Sequence, residues 1–351
     1  MSAAVETSAL ADQPWPSGGL ETVGACPICA TREKALIHDG LWDNVFFAAP
    51  GRWSLWRCRG CRSAYLDPRP DADTIGLAYS RYYTHDRQEP PPPVGALQRL
   101  RAALGNDYRN RRYGTHRSPA NALGKPLALA FAPLRWPVDV AFRFLPRVPG
   151  RVFDLGCGGG DFLEMAREAG WEVAGSDPDP VARARAGGLG IEVRATPEAW
   201  GDQAGAFDAV TMNHVIEHVH DPLATLATTL RLLRPGGMLY IETPNIDAIG
   251  HDIYGPNWRG LETPRHLVLF NRKSLKDALE ASGFVGVRYR ARLQPFTGLS
   301  LVSRRMAAGI DPFDEADAPS LPPLPGRATR LRAAVARGKA EFLTLTCRAP
   351  S

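Results

Sequence analysis

Three groups of residues in this 351-residue chain have the types and spacing that chemistry requires. Near the N-terminus, Cys26 and Cys29 form a C-x2-C pair, and Cys58 and Cys61 form a second after a 28-residue gap. Pro27 and Gly60 give each pair a tight knuckle, so two thiolates can face one ion. Four thiolates satisfy tetrahedral Zn2+ and leave no open coordination position, so the expected ion is structural. Two disulfides or four unligated thiols are the alternatives. The second group is the glycine-rich stretch Arg151–Gly160, RVFDLGCGGG, with Asp154 inside it. The third is divided between His214, Glu217 and His218 in HVIEH and Glu262 and His266 in the loop TPNIDAIGHDIYGPNWRGLETPRHLVLF.

The glycine stretch needs a strand before it and a helix after it. Val152 and Phe153 read as the end of a buried strand, and Phe162, Leu163, Met165 and Ala166 recur at helical spacing. Glycines there let the backbone approach a ligand closely, at the positive end of the next helix. Alone, this says only that the ligand is nucleotide-like. Asp177 closes the next apolar run, WEVAGSD. A carboxylate about 20 residues after the glycines is where a doubly wound sheet holds ribose hydroxyls. Asp177 can equally cap a helix whose first residue is Pro178.

From Arg151 onward, strand and helix patterns alternate. Strands are predicted at Val152–Leu155, Glu172–Ser176, Ile191–Val193, Ala209–Met212, Met238–Glu242, Val285–Arg290 and Glu341–Cys347, with helices such as Pro222–Leu233 and Ser274–Ser282 between them. That defines an α/β fold with a mostly parallel sheet. Upstream, residues 1–23 read as a disordered lead-in and 24–70 as the cysteine module, with strands at Lys34–Ile37, Val45–Phe47 and Trp53–Arg57. Residues 71–149 read as a helical basic linker or lid, with helices at Asp71–Tyr83, Ala96–Arg112 and Leu127–Phe144. Residues 150–351 form the α/β domain, with an insertion at 298–340 whose acidic, proline-rich centre, DPFDEADAPSLPPLPG, cannot build a core.

Composition narrows the partners. With 44% apolar and 23% charged residues the chain reads as globular, and its formal charge of +5 is too weak to argue for nucleic acid. The basic residues concentrate between Arg87 and Gly150, where eleven Lys/Arg face three acidic residues. That segment reads as a solvated face over the α/β domain. Its sharper alternative is a surface for a phosphate-bearing or lipid-linked substrate, or for peripheral contact with an anionic membrane. The N-terminus has no basic start or apolar core of a signal peptide, and Leu127–Pro146 is too interrupted to span a bilayer, so the expected location is cytoplasmic. Oligomeric state leaves no mark. Cys157 and Cys347 read as small packed residues, and His220 and His251 as surface loop residues.

DLGCGGG resembles motif I of the class I S-adenosylmethionine-dependent methyltransferases. FDAVTMNHVIEHVHDP, LRPGGMLYIETPN, and the closing pair SGFVGVRYRARL and EFLTLTCRAP resemble the same family in order and spacing. The resemblance runs from Arg151 to the C-terminus and extends to the cysteine module. It implies a Rossmann-like sheet of seven strands, the last inserted antiparallel beside the sixth. It implies S-adenosyl-L-methionine as cofactor, with Gly156, Gly158 and Gly160 along its methionine and ribose moieties. Asp154 would face its amino group, Asp177 its ribose, and Asn213 and His214 the strand ends beside it. The neighbouring Pro178-Asp179 would wall the adenine.

HVIEH resembles the E-x-x-E-H of ubiquinone-pathway O-methyltransferases, where acidic and histidine residues can hold a divalent ion. His214 replaces the first glutamate, so that ion is in doubt, and Glu217 and His218 can instead brace the site. On a helix, His214 and His218 would share a face. His266, in the family's P-x-H-L-x-x-F context, is the expected general base, with Glu262 as orienting partner or alternate base; the alternative is a packing histidine that fixes the loop. Tyr254, Trp258 and Arg265 could shape the acceptor pocket. The resemblance implies methyl transfer to a small-molecule acceptor such as a sugar, polysaccharide precursor or secondary metabolite, with O-methylation first. The other readings are an RNA or protein methyltransferase using the zinc module for docking, and a non-catalytic binding protein. No aromatic-basic RNA motif and no N-P-P-Y or D-P-P-Y tetrapeptide supports the first, and the intact donor motif speaks against the second.

Overall fold

A computed structural model describes residues 10–80, 95–291, 296–313, 321, 325, 326 and 338–351. Seven strands form one sheet: β6 (Arg151–Leu155), β7 (Glu172–Ser176), β8 (Glu192–Arg194), β9 (Phe207–Asn213), β10 (Leu233–Pro244), β12 (Val285–Tyr289) and β13 (Phe342–Arg348). Their spatial order is β12-β13-β10-β9-β6-β7-β8. Only β13 runs against its neighbours, between β12 and β10, which is the expected place for the last strand. The central strands are buried along nearly their whole length, because helices cover both faces of a parallel sheet.

Helices α1 (Ala96–Tyr113), α3 (Ala132–Ala141), α4 (Asp161–Glu168) and α5 (Pro180–Gly188) bring Tyr108, Val138, Leu163 and Ala186 to one face. On the other face, α6 (Pro222–Leu232) and α8 (Arg272–Ala281) bury Leu226, Leu232, Leu275 and Leu279 in a core shared with Cys26, Cys58, Cys61 and Tyr65. The cysteine module is thus built into this core. Its sheet comprises β2 (Lys34–Leu41), β3 (Trp53–Cys58) and β4 (Ala64–Leu66), extended by β11 (Val268–Leu269) from the α/β domain. Val268 pairs with Tyr65 and Leu269 with Ala64.

Several expectations are corrected. Residues 10–23 of the lead-in are ordered, residues 1–9 lying outside the described residues: Trp15 is buried against Trp53, and β1 (Leu20–Glu21) pairs with β5 (Arg69–Pro70). Burial of a large indole is worth the ordering of a few residues. Asn44–Phe47 is a turn and not a strand, closed by Asp43 Oδ1 accepting from the Phe46 amide and Oδ2 from the Ala48 amide. The helix expected at Asp71–Tyr83 is a short 3-10 turn, Ile75–Tyr79, and residues 81–83 lie outside the described residues. The single helix expected at Leu127–Phe144 divides into α2 (Gly124–Ala130) and α3, with Phe131 extended between them and Pro133 in the first turn of α3, where its missing N–H costs nothing. The insertion carries α9 (Phe296–Ala307), while most of its acidic, proline-rich centre lies outside the described residues.

Candidate active site

The glycine turn leaves the C-terminal end of β6. Gly156, Gly158 and Gly160 all have positive φ, a backbone that L side chains rarely adopt. A Cβ on Gly156 would also meet Val215 at 2.5 Å, whereas Gly158 faces open space. Asp177, at the end of β7, accepts from the Gly158 amide at 2.8 Å and from the Asp179 amide at 2.9 Å. It therefore braces the glycine turn. The helix cap is Asp179, which accepts from the Val181 amide with Pro180 in the first turn; the cap reading of Asp177 is corrected by one dipeptide.

Asp154 is fully buried beneath this turn. Its Oδ1 accepts from Thr211 Oγ at 2.7 Å and from Arg143, while its Oδ2 has no hydrogen-bond partner. Burial pushes the Asp154 carboxyl up, against the pull of Arg143 and Thr211. A cationic amino group at Oδ2 would both fill the vacant acceptor and relieve that burial, so the residues fit the donor that the motif implies. Arg143 stacks on the Phe162 ring at 3.7 Å from its centroid. Sequence reasoning missed Arg143 as a site residue; its one signal was a lone cation in the apolar run VAFRFLP.

Asn213 ends β9, and the five residues after it form a turn, not a helix, with His214 at φ 57. His214 Nδ1 lies 3.2 Å from Glu217 Oε1, and its Nε2 lies 3.7 Å from Glu242 Oε1. Burial alone would lower His214, but the Glu217, Glu242 and Glu262 carboxylates outweigh it and raise its pKa. Glu217 is wholly buried and accepts from Thr243 Oγ at 2.9 Å. Burial would raise its carboxyl, but His214, His218 and His266 bring it down to about 2. Glu242 was also missed, although a carboxylate within the buried run MLYIETP was a legible anomaly.

The loop after β10, which includes the short helix α7 (Ile249–Tyr254), brings His266 against this turn. The His218 and His266 rings meet edge to face, 4.6 Å apart. His218 Nδ1 lies 2.9 Å from Tyr79 Oη and 3.1 Å from the Arg265 carbonyl oxygen. Nothing in the local sequence signals Tyr79, which arrives from 139 residues away. His266 Nδ1 lies 2.8 Å from the Gly260 carbonyl oxygen, which can only accept, so Nδ1 carries the proton and Nε2 the lone pair. Burial draws its pKa down to about 4, opposed by Glu262, whose Oε2 stands 3.6 Å from Nε2. Glu262 is buried between Arg259 and Arg265. Burial would raise it, but Arg259, His266 and Arg265 hold it well below the usual carboxylate range. Ligand atoms of Glu217, His218 and His266 lie within 4.8 Å of one another, so these three could hold a divalent cation.

The cysteine module fixes this loop. Arg265 is fully buried, with its guanidinium on Asp43 at 2.5 and 3.0 Å, the Ala78 carbonyl at 2.8 Å and Glu262 at 3.2 Å. Asn271 Nδ2 donates to the Cys61 carbonyl at 3.0 Å. His251 is buried and not a surface residue: its Nε2 lies 2.9 Å from His38 Nε2 and its Nδ1 2.8 Å from the Ile246 carbonyl. His220 likewise reaches back, 3.0 Å from the Pro70 carbonyl. The four cysteine sulfurs lie within 4.8 Å of one another, Cys26–Cys61 at 3.6 Å and Cys29–Cys58 at 3.5 Å. Tetrahedral zinc thiolates stand about 3.8 Å apart, so this set fits the ion.

Strand order, the glycine turn after β6 and the carboxylate after β7 together define a class I S-adenosylmethionine-dependent methyltransferase fold. Residues 130–289 match the family described as a methyltransferase domain, which agrees with the fold that the strand order defines. Among curated proteins, the chain is 38% identical over 129 residues to the ubiquinone biosynthesis O-methyltransferase of Xanthomonas oryzae, covering 34% of this chain and 53% of that one. It is 41% identical over 102 residues to the protein of that name from Ruegeria pomeroyi, covering 27% and 41%. The chain thus spans about half the length of the curated relatives it matches. Among solved structures it is similar to a SAM-dependent methyltransferase from Archaeoglobus fulgidus, at TM-score 0.41 and 18% identity over 69% of this chain and 97% of that one. It is also similar to the 1,6-didemethyltoxoflavin-N1-methyltransferase of Burkholderia thailandensis, at TM-score 0.38 and 19% identity over 75% and 94%. Such distant likenesses add nothing to what the strand order shows.

Proposed function

We propose that this chain transfers a methyl group from S-adenosylmethionine to a small-molecule acceptor, most directly to a hydroxyl oxygen, and that its four cysteines hold a structural zinc ion. The observation that carries the reading is the unpartnered, buried Oδ2 of Asp154 under a glycine turn braced by Asp177, with His266 held in the loop after β10 and its pKa drawn down by burial. When bound, the donor supplies an electrophilic methyl group on a sulfonium. The protein's task is to align the acceptor and take its proton.

In this reading Asp154 receives the donor's amino group, Asp177 adds the ribose hydroxyls to its backbone partners, and Gly158 leaves the approach open. Asn213 and His214 follow at the end of β9, beside the donor in this reading. Proton uptake falls to His266 Nε2: Gly260 fixes the tautomer, and Glu262 and Glu217 favour the imidazolium that forms. Glu262 orients and stabilises and is not the base, since two guanidiniums already hold it ionised. His218 packs beside His266 and shapes the acceptor side with Tyr79. The carboxylates and imidazoles gathered around His266 are consistent with a sugar or other metabolite hydroxyl as acceptor. The relatives' name points to O-methylation. Integration of the cysteine module into the acceptor loop supports this reading over a free docking platform for RNA or protein.

His266→Ala is expected to lower kcat by about 10²–10⁴-fold while leaving donor affinity near wild type. Turnover of a panel of hydroxylated acceptors, with donor titration alongside, measures both. Unchanged turnover would reject His266 as the base.

A further inference from the structure

We infer that the outer face of the α1–α2 hairpin docks on an anionic lipid bilayer. Six of the fifteen exposed large apolar side chains among the described residues fall in this hairpin. Leu97 and Leu100 are 71% and 47% exposed, and Leu123, Leu127, Leu129 and Phe131 are 42–61% exposed. Leu123, Leu127 and Phe131 recur every four residues, along one side of α2 and its end.

The two groups belong to one surface. The Asn121 amide donates to the Ala103 carbonyl at 3.0 Å, and the Lys125 amide donates to Asp107 at 2.8 Å. A Cβ on Gly124 would strike the Leu104 carbonyl at 2.1 Å, so α2 starts in direct contact with the middle of α1. The inner side of the hairpin is separately accounted for: Tyr108, Tyr113 and Ala128 are buried in the core over the sheet, with Tyr108 and Tyr113 donating to Asp139 at 3.0 and 2.8 Å. What remains outside is apolar without a covering element among the described residues.

Charge selects the occupant. From Gly95 to Phe131 there are seven Lys/Arg and a single acidic residue, Asp107, which is buried and bound to Arg111. Exposed Arg99 and Arg101 interleave with Leu97 and Leu100 on the first turns of α1. Leucine and phenylalanine entering the acyl boundary, with guanidiniums at the phosphate level, is the arrangement of an interfacial amphipathic segment. No helix of the described residues is long and apolar enough to cross a membrane, so the contact is peripheral.

The test is cosedimentation of the full chain with vesicles of phosphatidylcholine alone and of phosphatidylcholine enriched in phosphatidylglycerol. Retention on the anionic vesicles, weakening as salt is raised, is expected. L127D with F131D should reduce it about tenfold or more, as should R99E with R101E, with circular dichroism unchanged. V181D, at an exposed apolar residue outside the hairpin, should bind as wild type. Absence of retention, equal retention on neutral vesicles, or retention that survives L127D with F131D would overturn the proposal. So would light scattering that shows a dimer dissolved by L127D with F131D, since the face would then meet a second copy of the chain.

Discussion

At the scale of single residues, the site is a set of ionisable groups whose burial and neighbours oppose one another. His38 and His266 are both drawn down to about 4 by burial, His38 also by His251. An unfolded histidine titrates near 6.5, so between those values the unfolded chain binds more protons than the folded one. Their contribution to stability is therefore complete above pH 6.5 and is lost as pH falls toward 4. Urea unfolding should show a loss of roughly 2–4 kcal/mol between pH 7 and pH 5, and His38→Gln should shrink that loss. A stability that is flat across this range would contradict the burial argument. Residue types and spacing singled out Asp154, Asp177, the three glycines and His266 in the sequence, and the fold places them at the end of β6 or after it, after β7 and after β10. Tyr79, Arg143 and Asp43 were not, because each becomes part of the site only when distant elements pack. The geometry of HVIEH was misread because the i, i+4 spacing of its histidines fits one face of a helix, while His214 turns the chain at positive φ after its amide donates to the Glu242 carbonyl.

At the scale of elements, the strands were legible to within a residue or two through most of the sheet, since buried parallel strands are short apolar runs between glycine and proline signals. β10 departs most: it begins at Leu233, with a register shift before Met238 that places Pro235-Gly236-Gly237 inside the strand. Helix continuity over 127–144 was overestimated because apolar content persists across Phe131 while the backbone does not. The element with the greatest consequence is β11, two residues that no periodicity could reveal. It ties the His266 loop to the cysteine module. Arg265 and Asp43 complete that tie as a fully buried ion pair. Asp43→Ala should destabilise the protein by about 3–5 kcal/mol, because it removes the nearer carboxylate partner of a fully buried guanidinium and leaves Glu262 alone to balance it. Asp43→Ala combined with Arg265→Met should recover much of that loss; equal destabilisation by the single and double variants would show that the pair is not coupled.

At the scale of the whole molecule, the cysteine module, the basic helices and the sheet share their cores, so what sequence composition divides into lead-in, module, lid and catalytic domain is one packed body at the site. The shared core explains why the packing of the module was not legible: cysteine spacing suggests an ion, whereas the Asn271 contact with Cys61, 210 residues away in sequence, exists only once the chain has folded. Elemental analysis should find about one zinc per chain. Stripping it, or Cys58→Ser, should lower the melting temperature and slow turnover through the displaced loop; a metal-free preparation of wild-type stability and activity would exclude the ion. The central claim is the donor cradle, and calorimetric titration with S-adenosylmethionine, with NADH as the control, tests it most directly. We predict saturable binding of S-adenosylmethionine alone to the wild type, weakened about tenfold or more by Asp177→Ala with the fold intact. Absence of binding to zinc-replete, folded protein, or affinity untouched by Asp177→Ala, would contradict it.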